Sequence, residues 1–147
     1  MRLRRGEPED ATPIARIMRS TYDRMDYIPR LHTHEEDLAY IGGLFGEREI
    51  WVAENDDGVI GFAILSADEL MQMHVTPGEQ NAGIGSALLA RAKERRPRGF
   101  SLWTFQKNVG ARRFYERHGL EVVRLTDGAG NEEREPDVQY AWRPSAS

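Results

Sequence analysis

Between Leu70 and Arg96 a strand, a glycine-bearing turn and a helix follow one another directly. Leu70 to Val75 is an apolar run that stops at Pro77, and Ile84, Leu88, Leu89 and Ala92 then recur on one helical stripe. The junction reads Gln80-Asn81-Ala82-Gly83-Ile84-Gly85-Ser86. Glycines at a helix start let the backbone come close to a ligand. The free N–H groups there point outward, and with the helix dipole they favour a phosphate group. The junction is therefore a candidate pyrophosphate cradle. Two better-known phosphate loops are excluded. A P-loop needs Lys-Ser/Thr after the second glycine, whereas Gly83 is followed by Ile84 and Gly85. A dinucleotide fingerprint needs a third glycine, where this chain has Leu88.

The rest of the chain divides into elements on the same grounds. Leu3 to Arg5 reads as a short strand, and Asp10 as the cap of a helix running to about Asp23 with Ile14, Ile17 and Met18 inward. Met25 to His32 is irregular and carries more apolar and aromatic residues than an idle linker. Thr33 and Glu36 form a capping box for a second helix. Strands Glu49–Glu54 and Val59–Ser66 flank the turn Asn55-Asp56-Asp57-Gly58. A strand from Phe100, a helix from Asn108 that stops at Gly119, and a closing hairpin of Glu121–Leu125 with Val138–Trp142 complete the order. The sum is a mixed sheet with helices on both faces, in one domain over residues 1–147.

Composition narrows the function classes. The chain has no cysteine, which excludes a disulfide frame, a cysteine nucleophile and a thiolate metal site, and it fits a cytoplasmic setting. No apolar run is long enough to cross a membrane, and Met1 to Arg5 is followed by no secretory apolar stretch. The net charge of -4 argues against nucleic acid as the main partner. Asp127, Glu132, Glu133, Glu135 and Asp137 gather near the C-terminus, read as a polar hairpin tip, with an acidic rim for a cationic amine as the alternative.

A second segment, Asn108-Val109-Gly110-Ala111-Arg112-Arg113-Phe114-Tyr115-Glu116-Arg117-His118-Gly119-Leu120, follows the strand-like Leu102 to Phe105. It resembles the Asn-x-x-Ala-x-x-Phe-Tyr-x-x-x-Gly-Phe motif of the GNAT N-acetyltransferases. The Gln80-x-x-Gly83-x-Gly85 junction resembles that family's acetyl-CoA loop, in the right order and at the right separation. The resemblance covers about half the chain. It implies an α/β (α+β) acyl-CoA N-acyltransferase fold, with a central mixed, mostly antiparallel sheet of about seven strands and about four flanking helices.

It also implies roles. Acetyl-CoA is the expected cosubstrate, a small-molecule or peptide amine the acceptor, and direct attack in a ternary complex the route. A homodimer is compatible with it. Backbone N–H groups of Gln80, Asn81, Ala82, Gly83, Ile84, Gly85 and Ser86 are expected at the pyrophosphate, and Met73 and Val75 at the pantetheine arm as if it were a strand. Tyr115 stands where the family has its general acid; on periodicity alone it is a core aromatic. Asn108 stands where the family has a cofactor-contacting asparagine; alone it is an N-cap. Glu69 is the candidate base, with Asp68, His74 and a water chain as alternatives and an exposed strand-start residue as the plain reading. Tyr27, Leu31 and His32 are substrate-site candidates by position. His32-x-His34 needs an extended segment to ligate a metal, which the capping box opposes, so no metal is expected. A non-catalytic acyl-CoA binding module is the alternative function, and the presence of Tyr115 speaks against it.

Overall fold

The computed structural model describes residues 1–80 and 82–144. The order is β1 (Arg2–Arg5), a 3-10 turn (Pro8–Asp10), α1 (Ala11–Asp23), α2 (His34–Leu44), β2 (Glu49–Asn55), β3 (Gly58–Leu65), β4 (Leu70–Val75), α3 (Ile84–Arg95), β5 (Phe100–Phe105), α4 (Val109–Arg117), β6 (Glu121–Leu125) and β7 (Asp137–Trp142). Local signals explain most of the boundaries. Thr33 Oγ1 accepts from the Glu36 N–H (3.1 Å), and Glu36 Oε1 accepts from the Thr33 N–H (2.9 Å), which closes the capping box ahead of α2. Asn108 Oδ1 accepts from the Ala111 N–H (3.1 Å) and starts α4. Asp10 differs from the expectation: its carboxylate makes no cap bond to α1. It accepts instead from the Glu7 N–H (2.8 Å) and from Arg4 Nη1 and Nη2 (2.8 and 2.9 Å), so it closes the preceding 3-10 turn and ties it to β1.

The strands form two antiparallel sheets, β1-β2-β3-β4 and β5-β7-β6. They meet at one parallel bridge between Glu69 and Ser101, where the Ser101 N–H donates to Asp68 O (3.0 Å). Past that bridge β4 and β5 diverge, and the outward edge of β4 carries no ladder partner among the described residues. The expected single sheet is thus split along its middle. The register shows what the split exposes. The Thr76 N–H donates to Ile60 O (2.8 Å), which makes Thr76 and Ile60 a hydrogen-bonded pair. Pairs alternate along an antiparallel ladder, so Phe62/His74 is hydrogen-bonded while Gly61/Val75 and Ala63/Met73 are not. The peptide groups of Met73 and Val75 therefore turn away from β3, into the gap.

Two apolar layers hold this frame. On one face α1 and α2 cover β2 and β3 through Ile14, Met18, Ile41, Val52, Phe62 and Ile64, all nearly without solvent contact. On the other, α3 packs Ile84, Leu88 and Leu89 against Ala53, Ala63 and Leu70, and the same layer runs on to Leu102, Tyr115, Val138 and Tyr140 of the second sheet. Each such fully buried large side chain contributes about 1.5–3 kcal/mol. The shared layer keeps the sheets together on the far side of the gap while the bridge is confined to one end. No helix among the described residues is long and apolar enough to cross a membrane.

Candidate active site

The gap is a cleft of about 1020 Å³. β4 forms one wall from Leu70 to Val75, β5 the other from Leu102 to Phe105, and Gln80, Gly85, Asn108, Phe114 and Tyr115 close one end. Thr21, Tyr22 and Met25, from the end of α1 and just beyond it, join the lining, as do Thr126, Asn131, Glu133 and Asp137 of the β6–β7 connection.

At the head of α3, Gly83 has φ +78, a left-handed conformation that side-chain-bearing residues rarely adopt, and no atom lies within 4 Å of where its Cβ would stand. The first bond of α3 runs from the Ala87 N–H to Gly83 O (3.1 Å). The N–H groups of Ile84, Gly85 and Ser86 have no backbone acceptor among the described residues, as expected of a helix's first turn. Gly85 has a different reason to be glycine. A Cβ there would stand 3.3 Å from Phe114 Cζ, so its bareness lets α4 pack against α3. The Ile84 side chain is in the core and only its backbone faces outward. Asn81, expected in this loop, lies outside the described residues.

Tyr115 lines the cleft from α4 and is 8% exposed. Its ring meets Phe114 edge-on at 5.4 Å and Tyr140 at 6.0 Å. Burial pushes its hydroxyl well above the ordinary tyrosine range, so it keeps its proton at any physiological pH. Asn108 lines the same end; its Oδ1 is used as the helix cap, which leaves its amide nitrogen to the cleft. The Arg117 guanidinium lies over the Phe114 ring (5.8 Å), which puts positive charge at the α3 end.

On the α1 side Gln72 Oε1 accepts from the Tyr22 hydroxyl (3.2 Å) and lies 2.8 Å from His74 Nε2. An amide oxygen only accepts, so Nε2 carries the imidazole proton. The His74 ring packs against Tyr22 (5.5 Å) and Phe62 (5.4 Å). Burial pushes His74 down to about 4 and Tyr22 up to about 12, so both are neutral.

Other expected residues lie elsewhere. The structure does not bring Glu69 to the cleft: the lining of β4 begins at Leu70, and Glu69 sits at the bridge where the sheets meet. Burial, and then Asp68, raise its carboxyl. Tyr27 is not in the lining either. Its ring packs edge-on against Phe105 (6.0 Å) with Lys107 Nζ above it (5.7 Å). Leu31 and His32 line a separate recess of about 40 Å³, which shares Tyr22 and Glu133 with the cleft. His32 Nε2 is 2.8 Å from Glu132 and Nδ1 is 3.8 Å from Glu36. The Glu132 contact chiefly raises its pKa. Among the described residues no three His, Asp or Glu side chains gather as a metal site would require. Sequence reasoning missed Tyr22 and Gln72; Glu133 entered only as part of the acidic cluster whose alternative reading was a rim for a cationic amine. Tyr22 was visible as the next step of the Ile14–Met18 stripe; Gln72 carried no local signal.

A split sheet with a left-handed glycine turn and a free helix N-terminus at one end of the cleft defines an α/β acyltransferase domain. The acetyltransferase (GNAT) domain profile matches residues 46–122, just over half of the 147, and the chain belongs to that family. It is 36% identical over 74 residues to the peptidyl-lysine N-acetyltransferase YiaC of Escherichia coli, a match spanning 50% of each chain. It is 27% identical over 124 residues to the peptidyl-lysine N-acetyltransferase YjaB of Salmonella typhimurium, covering 82% of this chain and 83% of that one. The fold matches yncA of Salmonella typhimurium, solved with its cofactor acetyl-CoA, with a TM-score of 0.77 at 18% identity over 100% of this chain and 96% of that one.

Proposed function

We propose that this protein transfers an acetyl group from acetyl-CoA to a primary amine by direct attack within a ternary complex. The observation that carries the reading is the alignment of three features along one cleft. The peptide groups of Met73 and Val75 face it, the N-terminus of α3 meets it at Gly85, and Tyr115 lines it from α4. Acetyl-CoA supplies the thioester carbonyl and a thiolate leaving group.

The residues of the chain do the rest. Gly83, Ile84, Gly85 and Ser86 offer N–H donors to the pyrophosphate, with Gln80 and Arg117 beside them. Met73 and Val75 pair with the pantetheine amides as a strand would. Holding the thioester beside the amine supplies most of the acceleration. Tyr115, protonated throughout the working range, gives its proton to the departing sulfur. The acceptor enters from the other end, between Tyr22, Gln72 and the Glu133 carboxylate, which suits an ammonium-bearing chain. His74, pushed down to about 4, is too weak a base to take the amine proton, and Glu69 stands apart, so the proton leaves through water in the open cleft. The names of the two relatives favour a lysine side chain in a peptide as the acceptor.

The test is thiol release from acetyl-CoA with a panel of lysine peptides and small primary amines. Amine-dependent release supports the reading. Acetyl-CoA binding with no amine-dependent release across the panel would leave a binding module and refute it.

A further inference from the structure

His118, at the far end of α4, makes contacts that its helix does not need. Its Nδ1 lies 2.8 Å from Phe114 O, and a carbonyl only accepts, so Nδ1 carries the proton. In the neutral ring Nε2 is then bare. Nε2 lies 2.9 Å from Ser86 Oγ, so the Ser86 hydroxyl donates to it. The ring also stacks on Phe114 at 4.3 Å and 32°. From α3, Lys93 Nζ donates to His118 O (2.7 Å). Phe114 in turn fills the space left by Gly85. One histidine thus fixes the first turn of α3 to the helix that carries Tyr115.

Ser86 is the third residue of α3, and its N–H is one of the free donors at the proposed pyrophosphate site. Its hydroxyl proton is committed to His118, so its side chain is not a phosphate donor; its backbone is. The direction in which that N–H points depends on how firmly the turn is held. We propose that His118 is a positioning residue for the pyrophosphate of acetyl-CoA, acting through the Ser86 hydroxyl to hold the α3 N-terminus in aim. The inference rests on reading that terminus as the acetyl-CoA site.

Calorimetric titration with acetyl-CoA tests it in five proteins: wild type, His118→Phe, His118→Gln, Ser86→Ala, and the double variant Ser86→Ala/His118→Phe. Phenylalanine keeps the stack on Phe114 and removes the acceptor; glutamine keeps an acceptor oxygen for Ser86. His118→Phe and Ser86→Ala each raise the Kd, by about three- to tenfold for one net hydrogen bond. The double variant falls no further than the worse single one, and His118→Gln stays within about twofold of wild type. Wild-type affinity in His118→Phe, additive losses in the double variant, or failure of glutamine to rescue overturns the inference while the acetyl-CoA site stands. A wild-type protein that does not bind acetyl-CoA overturns both. If a His118 variant folds poorly, Ser86→Ala, a small change at a half-buried position, still tests the contact on its own: wild-type affinity in it overturns the inference.

Discussion

His74 turns acid into a test of the cleft wall. Burial takes its pKa from the ordinary 6.5 to about 4, because the ring is walled by Tyr22 and Phe62 and its charged form would lose water. The folded state keeps the ring neutral, whereas the unfolded chain takes up a proton below about 6.5. Between those values the unfolded state binds more protons, so stability falls as the pH falls. The contribution is complete above about pH 6.5, declines toward pH 4 and levels off below. The full shift is worth about 3 kcal/mol, and the open side of the cleft trims this to about 2 kcal/mol. Glu49, held near 2, and Asp10, held low by Arg4, lose their stabilisation in a lower window and do so in any His74 variant. Urea unfolding at pH about 7.5 and about 4.5 measures the difference in wild type and in His74→Phe, which keeps the aromatic packing without a titrating nitrogen. Wild type loses about 2 kcal/mol more than the variant over that interval. Equal pH dependence in the two proteins would show that His74 is not desolvated in the folded state and would refute the reasoning.

Tyr115→Phe lowers kcat by about 10²-fold, equivalent to about 2.7 kcal/mol, and leaves the acetyl-CoA Kd within about threefold. Unchanged steady-state turnover would return Tyr115 to a purely packing role. Gly83→Glu abolishes calorimetrically detectable acetyl-CoA binding in a protein with native circular dichroism, because a left-handed residue gains both a side chain and a negative charge at the phosphate. Retained affinity would place the pyrophosphate elsewhere. Glu69→Gln changes kcat by less than about threefold and leaves the rising limb of the pH–rate profile in place. A limb that shifts or vanishes in this variant would make Glu69 the base despite its place at the bridge.

Features written into a few neighbouring residues were legible in the sequence. The capping box of Thr33 and Glu36, the Asn108 cap and the strand, turn and helix from Leu70 to Arg95 each rest on hydrogen bonds or periodicity within a short window. The family motifs are of the same kind, which is why Tyr115 and the α3 loop could be named from the chain alone. Met73 and Val75 were named through the same resemblance, and the register turns their peptide groups into the gap. Asp10 was read as the cap of the first helix and does stand at its N-cap position, but its carboxylate bonds Arg4 and the Glu7 N–H instead of the first turn of α1.

Tertiary structure decided what meets across the cleft. Among the described residues the two sheets are bridged through backbone only at Glu69 and Ser101, while they pack on a shared apolar layer; this opens the gap and leaves Glu69 out of its lining. Tyr22 reaches Gln72 across 50 positions of chain, and Ser86 reaches His118 across 32. Tyr27 and His32 are drawn instead to Phe105 and Glu132. Local propensity acts over a turn or two of helix, whereas side-chain convergence depends on strand register, sheet twist and helix docking at once. The sequence therefore determined the elements and the strand, glycine turn and helix on which the proposed acetyl-CoA site of this acetyltransferase-family chain rests. Only the folded sheet decided which side chains face one another along the cleft, because residues far apart in sequence become neighbours only when the hydrophobic layers close.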